Sequence, residues 1–145
     1  MITSAICTSF VNELPQGLHN FQVAGDVFKV ALYDNDAANL GASTTVYSPL
    51  AESSGTNYTS GGIALTSVTP TNTDNVTLLD FNDAIFSNVT MSNIGGALIY
   101  NSTNGNRAVA VLKFNAVVNA TAQNIEVIFP EPSILAAILR ITRNG

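Results

Sequence analysis

The feature that most limits the fold of this chain is a pair of apolar runs around a short polar break. Ile94-Gly95-Gly96-Ala97-Leu98-Ile99-Tyr100 leads into Asn101-Ser102-Thr103-Asn104-Gly105-Asn106, and then into Arg107-Ala108-Val109-Ala110-Val111-Leu112-Lys113-Phe114. Val, Ile, Leu and Tyr suit a pleated surface, and Asn-Gly reaches the positive φ angles of a tight reversal. The stretch therefore predicts a β-hairpin. Along its second arm Ala108, Ala110, Leu112 and Phe114 share one face, and Val109, Val111 and Lys113 the other. Both faces are largely apolar, so the hairpin is expected to be a central pair with cover on both sides.

The rest of the chain reads as short strands around that pair. Residues 3–14 predict a helix, because Ile6, Phe10, Val11 and Leu14 recur at helical spacing, Thr3 or Ser4 can cap the start, and Pro15 and Gly17 end it. Strands are expected over 26–33, 63–69, 75–81, 84–90 and 123–129, with 116–121 a small-residue connection. Residues 37–62 are irregular and rich in turn chemistry, and a long loop in a small domain is usually functional or ordered by a partner. After Pro130-Glu131-Pro132, residues 134–141 are read as a final strand, with a helix capped by Ser133 as the alternative. Strands in this number predict a mainly β fold: an antiparallel β-sandwich or jelly-roll-like barrel with a short N-terminal helix. The 145 residues are expected to form a single domain, with a helical arm at about 3–14 and an apolar tail at about 134–145.

Charge narrows the function classes. Hydrophobic residues make up 46% of the chain but charged ones only 10%, against an ordinary share of about 25%. Asn, Thr and Ser carry the remaining polarity, which suits a surface partly covered by other protein. Five basic residues and a net charge of −5 give no basic patch to track phosphates or anionic lipid. Direct nucleic-acid and membrane partners are not expected. The N-terminus has no basic segment ahead of an apolar run, so no secretory leader is expected either. Asn57, Asn75, Asn88, Asn101 and Asn119 each open an N-x-Ser/Thr triplet, read here as a product of the Asn- and Thr-rich composition.

The residues that could carry chemistry do not form a site. Cys7 is the one cysteine and stands among small or apolar neighbours, so a buried structural thiol is expected. His19 is the one histidine, without ligands or a nucleophile at a supporting spacing, and is read as structural. Asp34-Asn35-Asp36 lacks the Gly and the distant Glu of a calcium loop and reads as a solvated turn. Gly61-Gly62 lacks the Lys-Ser/Thr of a phosphate loop. Asp80 and Asp83 sit at a strand end, where solvated or capping roles are expected in place of paired acid–base work. No catalytic, cofactor or metal residues are assigned, and an enzyme is not expected.

Several stretches carry a resemblance. SAICTSFVNELPQGLHNF, DVFKVALYD, GTNYTSGGIALT, LDFNDAIFSNVT and GGALIYNSTNGNRAVAVLKF occur here in that order over nearly the whole chain. Together they resemble small virion structural proteins of tailed bacteriophages, most of all the capsid cement or decoration proteins of cyanophage-like viruses. The resemblance implies a non-enzymatic protein on the outer surface of the capsid, made in the host bacterial cytoplasm. It implies a homotrimer whose partners are the major capsid protein and itself. A neck or tail component, such as a head-closure or tail-tube protein, is the alternative, and a receptor- or glycan-binding module is the second. Three regions are expected as interfaces: the arm at residues 2–14, the loop at 39–62 and the apolar tail at 134–145.

Overall fold

A computed structural model describes residues 1–133 and 135–143. The chain is mainly β, with two antiparallel sheets and one short N-terminal helix, as expected. In chain order the elements are β1 (Ala5–Ile6), α1 (Thr8–Glu13), a 3₁₀ turn (Leu14–Gln16), β2 (Phe28–Asp34), β3 (Ile63–Ala64), β4 (Thr71–Thr73), β5 (Val76–Leu79), β6 (Ala84–Asn101), β7 (Arg107–Val127) and β8 (Leu139–Thr142). The larger sheet has the order β1-β7-β6-β2-β3 and the smaller β4-β5-β8. Both sheets are open, with distinct edge strands, which is the sandwich-like form of the expected class.

The hairpin forms where its sequence places it and is much longer than its apolar runs. β6 has 18 residues and β7 has 21, paired from Asn101↔Arg107 at the turn to Ala84↔Val127 at the far end. The Asn101 side chain shapes the turn, its Oδ1 accepting from Thr103 N and Asn104 N at 3.1 Å each. Gly105 and Asn106 supply the positive φ angles. Val30, Leu32, Leu98, Ile99, Ala108 and Val109 lie in the core with essentially no exposure, so the central pair is covered on both faces.

Three expected elements merge into this hairpin. Residues 84–90 and 94–100 are one strand, and the expected connection at 116–121 and most of the expected strand at 123–129 are the far half of β7. The polar interruptions that look like chain breaks are bulges. Asn88 and Asn93 in β6 and Ala122 in β7 take φ of 51°, 61° and 51°, and the register shifts beside each. A bulge admits an extra residue and bends the ribbon without ending it.

The N-terminal arm departs from its expected helix. Only Thr8–Glu13 is α-helical, while Ala5 and Ile6 pair with Val111 and Ala110 of β7. The edge of β7 offers unpaired backbone groups, and meeting them outweighs one further helical turn in a short segment. Phe10 is buried and Leu14 packs against the core, but Val11 is 58% exposed, off the expected apolar face. Elsewhere only Ile63–Ala64 of the expected 63–69 strand is strand, and Ser67 adds an isolated bridge to Phe81. At the C-terminus β8 pairs with β5, so a final strand exists, but it begins at Leu139. Residues 135–138 are not strand, and Ile134, Asn144 and Gly145 lie outside the described residues.

Candidate interaction surface

Two of the three expected interface regions meet. The arm lies along the first part of the 39–62 loop: Thr3 N donates to Leu40 O and Thr8 N to Ala42 O, each at 2.9 Å, and Ile2 bridges Leu40. The third region, the tail, joins the other sheet through β8. Between them, residues 2–14 and 39–62 contain only two charged side chains, Glu13 and Glu52. Both carboxylates are turned into the protein. Val11, Val46 and Leu50 stand exposed from the same two segments, with a shallow depression of about 250 Å³ lined by Tyr33, Leu40, Thr44, Val46 and Leu50. The surface they offer is neutral and partly apolar, which costs little to desolvate.

Glu52 holds the loop in shape. Its Oε1 accepts from Tyr58 Oη at 2.8 Å and Gly61 N at 2.7 Å. Its Oε2 accepts from Tyr47 Oη at 2.7 Å and Ser60 Oγ at 2.6 Å. All four tyrosines of the chain gather around this point. Tyr58 Oη accepts from Leu32 N at 2.9 Å, Tyr100 Oη donates to Gly61 O at 2.7 Å, and Tyr33 Oη donates to Ser48 O. Tyr47 and Tyr100 stack with centroids 4.6 Å apart. Burial raises the pKa of each phenol, pushing Tyr100 up to about 12, so every hydroxyl stays a donor at neutral pH. Gly62 lets the loop close onto the sheet, since its φ is +69° and a Cβ there would lie 1.8 Å from Val30 O. A carboxylate with four donors is saturated, so its work is structural. Sequence reasoning passed over Glu52. Being the one acid in a Tyr- and Ser-rich loop is the signal, but only the fold shows the tyrosines converging.

A second network ties the arm to the hairpin turn. Glu13 Oε1 accepts from Arg107 Nη1, and Glu13 Oε2 pairs with His19 Nε2, both at 2.8 Å. Asn101 Nδ2 lies 3.2 Å from His19 Nδ1 and donates to Asp26 Oδ2 at 2.6 Å. Since Asn101 Oδ1 accepts two backbone N–H groups, its amide nitrogen faces His19, making Nδ1 the acceptor and Nε2 the donor to Glu13. The ring is buried, with Phe10 edge-on at 4.8 Å and Phe28 stacked at 6.3 Å. Both ring nitrogens are engaged within the protein, so the ring ties the arm to the hairpin turn.

The remaining candidates are placed as follows. Cys7 is fully buried, and burial pushes its thiol up to about 11, which suppresses the reactive thiolate. Asp34 Oδ1 accepts from Ser53 Oγ at 2.7 Å, and Asp36 Oδ2 accepts from Asn93 Nδ2 at 3.2 Å, so this turn is tied to its neighbours. Asp83 Oδ1 caps the chain beyond β7 by accepting from Phe129 N at 2.7 Å. Asp80 departs from a solvated role: it is only 3% exposed, its Oδ1 accepts from Phe81 N, and burial raises its pKa. Among the described residues no group of His, Cys, Asp and Glu is placed to hold a metal ion, and no helix is long and apolar enough to cross a membrane.

No protein-family model, curated protein or solved structure matches this chain.

Proposed function

We propose that this protein is a structural component of a tailed-bacteriophage virion, a cement or decoration protein. It binds the outside of the capsid and reinforces contacts between major capsid proteins. The single observation that carries this reading is the joined arm and loop. Its two carboxylates are consumed internally, so a neutral, ordered face is left for protein. Such a face adheres through shape and apolar contact, not through ion pairs. Homotrimer formation would repeat each modest contact and strengthen the whole by effective concentration. The proposal assigns no catalytic role to any residue.

The test is a phage lacking the gene. Capsids without the protein are expected to release DNA at a lower temperature than complete ones, and added protein is expected to restore resistance. Copy number separates the readings: hundreds per particle for a cement protein, against about six or twelve for a neck or tail ring. Unchanged heat resistance in particles lacking the protein rejects the cement role. Binding to a host saccharide without binding to capsids favours the receptor-binding alternative.

A further inference from the structure

One chain of hydrogen bonds crosses three parts of the molecule. Arg107 Nη1 donates to Glu13 Oε1, and Glu13 Oε2 accepts from His19 Nε2, both at 2.8 Å. On the other side of the ring, Asn101 Nδ2 lies 3.2 Å from His19 Nδ1 and 2.6 Å from Asp26 Oδ2. Neither Asn101 nor the His19 side chain has any exposure. Every hydrogen-bonding position of the Asn101 amide is filled. Its two N–H groups go to His19 and Asp26, and its Oδ1 accepts from Thr103 N and Asn104 N. Asn101 therefore presents only hydrogen to His19, and the ring fits as the neutral form with its proton on Nε2.

We propose that His19 is a proton-operated latch: a solvent proton taken up at Nδ1 transfers that nitrogen from Asn101 to Asp26, and Asn101 lets go of the Thr103 and Asn104 amides.

A proton on Nδ1 sets an N–H against the N–H groups of Asn101, and a buried donor that faces a donor is destabilising. Turning the Asn101 amide over gives His19 an acceptor. It also aims Oδ1 at the Asp26 carboxylate and the amide nitrogen at two backbone N–H groups, so three bonds break for one made. Asp26 is the better partner. It bonds the same nitrogen that His19 faces, so ring and carboxylate are neighbours across Asn101. A charged ring between Glu13 on α1 and Asp26 ahead of β2 makes charge-assisted bonds, about twice as strong as neutral ones. Asp26 is held ready: its Oδ2 accepts from Asn20 N and its own N donates to Asn20 O, each at 2.9 Å. The other charged group of the network, Arg107 on β7, is bonded to Glu13 Oε1 and balances that carboxylate. Phe10, Phe21 and Phe28 line the ring with centroids 4.8, 6.5 and 6.3 Å away. Glu13 keeps Nε2 in both states, so the arm stays attached. Val27 still holds the turn, its O accepting from Ser102 N and Ser102 Oγ and its N donating to Thr103 Oγ1. The change is confined to the Asn101 side chain and two backbone amides, a two-state element biased by one protonation.

The latch stands apart from the capsid reading, because it belongs to the chain by itself. NMR on the ¹⁵N-labelled full chain tests it between about pH 8 and about pH 5, the range in which imidazoles change charge. In wild type the His19 ring signals are expected to move across this range, and the Asn101 side-chain amide signals to move with the same midpoint. Hydrogen exchange at Thr103 N and Asn104 N, corrected for its intrinsic pH dependence, is expected to quicken by about tenfold or more. Ser102 N, held by Val27, is expected to keep its protection. Asp26→Asn keeps an acceptor for Asn101 and Asn20 but removes the charged partner. Its Thr103 and Asn104 amides are expected to stay protected over the same range. Thermal unfolding at about pH 8 reports that this variant folds, and the wild-type titration decides the question without it. Flat His19 signals, Asn101 signals that ignore the titration, or unchanged exchange at both amides overturn the proposal. A folded Asp26→Asn that loses protection as wild type does overturns it too. Capsids that keep their heat resistance without this protein would reject the cement role and leave the latch standing.

Discussion

The two halves of the β6–β7 hairpin are covalently continuous yet physically unlike. Near the turn, residues 94–101 and 107–113 lie inside the five-stranded sheet, flanked by β2 on one side and β1 on the other. Far from the turn, residues 84–91 and 118–127 run as a two-stranded ribbon whose β6 edge is met by the Thr56–Thr90 bridge and by Asn57 Nδ2, which donates to Asn88 O at 2.8 Å. In the near half Ala97, Leu98, Ile99 and Ala108 have no exposure; in the far half Ile85 is 49% exposed. The near half reads as a continuous apolar run. The far half alternates, with Phe86, Val89 and Met91 inward and Ile85, Ser87 and Thr90 outward. The difference teaches that one hairpin can be anchored by burial at one end and left as a two-stranded ribbon at the other.

The largest expected effect comes from the anchored half. Leu98→Ala should lower stability by about 2–5 kcal/mol, because a fully buried side chain leaves a cavity. Val117→Ala, at a position 44% exposed, should stay within about 0.5 kcal/mol. Thermal unfolding of both variants checks the contrast, and equal losses would erase it. Next is Glu52→Gln, which weakens four charge-assisted bonds and should cost about 2–3 kcal/mol. Limited proteolysis should then cut within residues 39–62 while the near half of the hairpin remains intact.

A pH effect follows in size. Burial raises Tyr100 from 10.0 to about 12, so its protonated form is favoured in the folded state. Its contribution is complete below pH 10 and is lost as pH rises toward 12, because the unfolded chain releases that proton first. Denaturant unfolding across that window should show falling stability, and phenolate absorbance of the native protein should appear late. Flat stability there would mean that the tyrosine cluster is less protected than its packing implies. The smallest expected effect is a gain in the far half. Ala122 holds φ of 51°, which costs an L-residue about 1–2 kcal/mol, so Ala122→Gly should stabilise by up to about 1 kcal/mol after the added flexibility of glycine. A loss instead would show that the Ala122 methyl group packs in the ribbon.

Much of the hairpin was legible from residue type. The apolar runs, the Asn-Gly break and the cover on both faces needed no tertiary information. The length of the hairpin was not legible, because Ser87-Asn88, Ser92-Asn93 and the Ala-Thr-Ala stretch at 120–122 look like breaks. In the chain they are places where Asn or Ala turns to positive φ and the ladder resumes. The arm misled for a different reason. Its helical spacing is genuine over Thr8–Glu13, but Ala5 and Ile6 are claimed by a strand edge more than a hundred residues away.

Residue order and composition alone settled the mainly β class, the central pair and the scarcity of charge. Those follow from local preference and from which side chains are present at all. Tertiary structure decided that Glu13 and Glu52 face inward, that arm and loop form one surface while the tail belongs to the other sheet, and that β7 keeps an open edge. Each of these depends on which distant backbone or hydroxyl group comes within about 3 Å, and sequence proximity does not encode that distance.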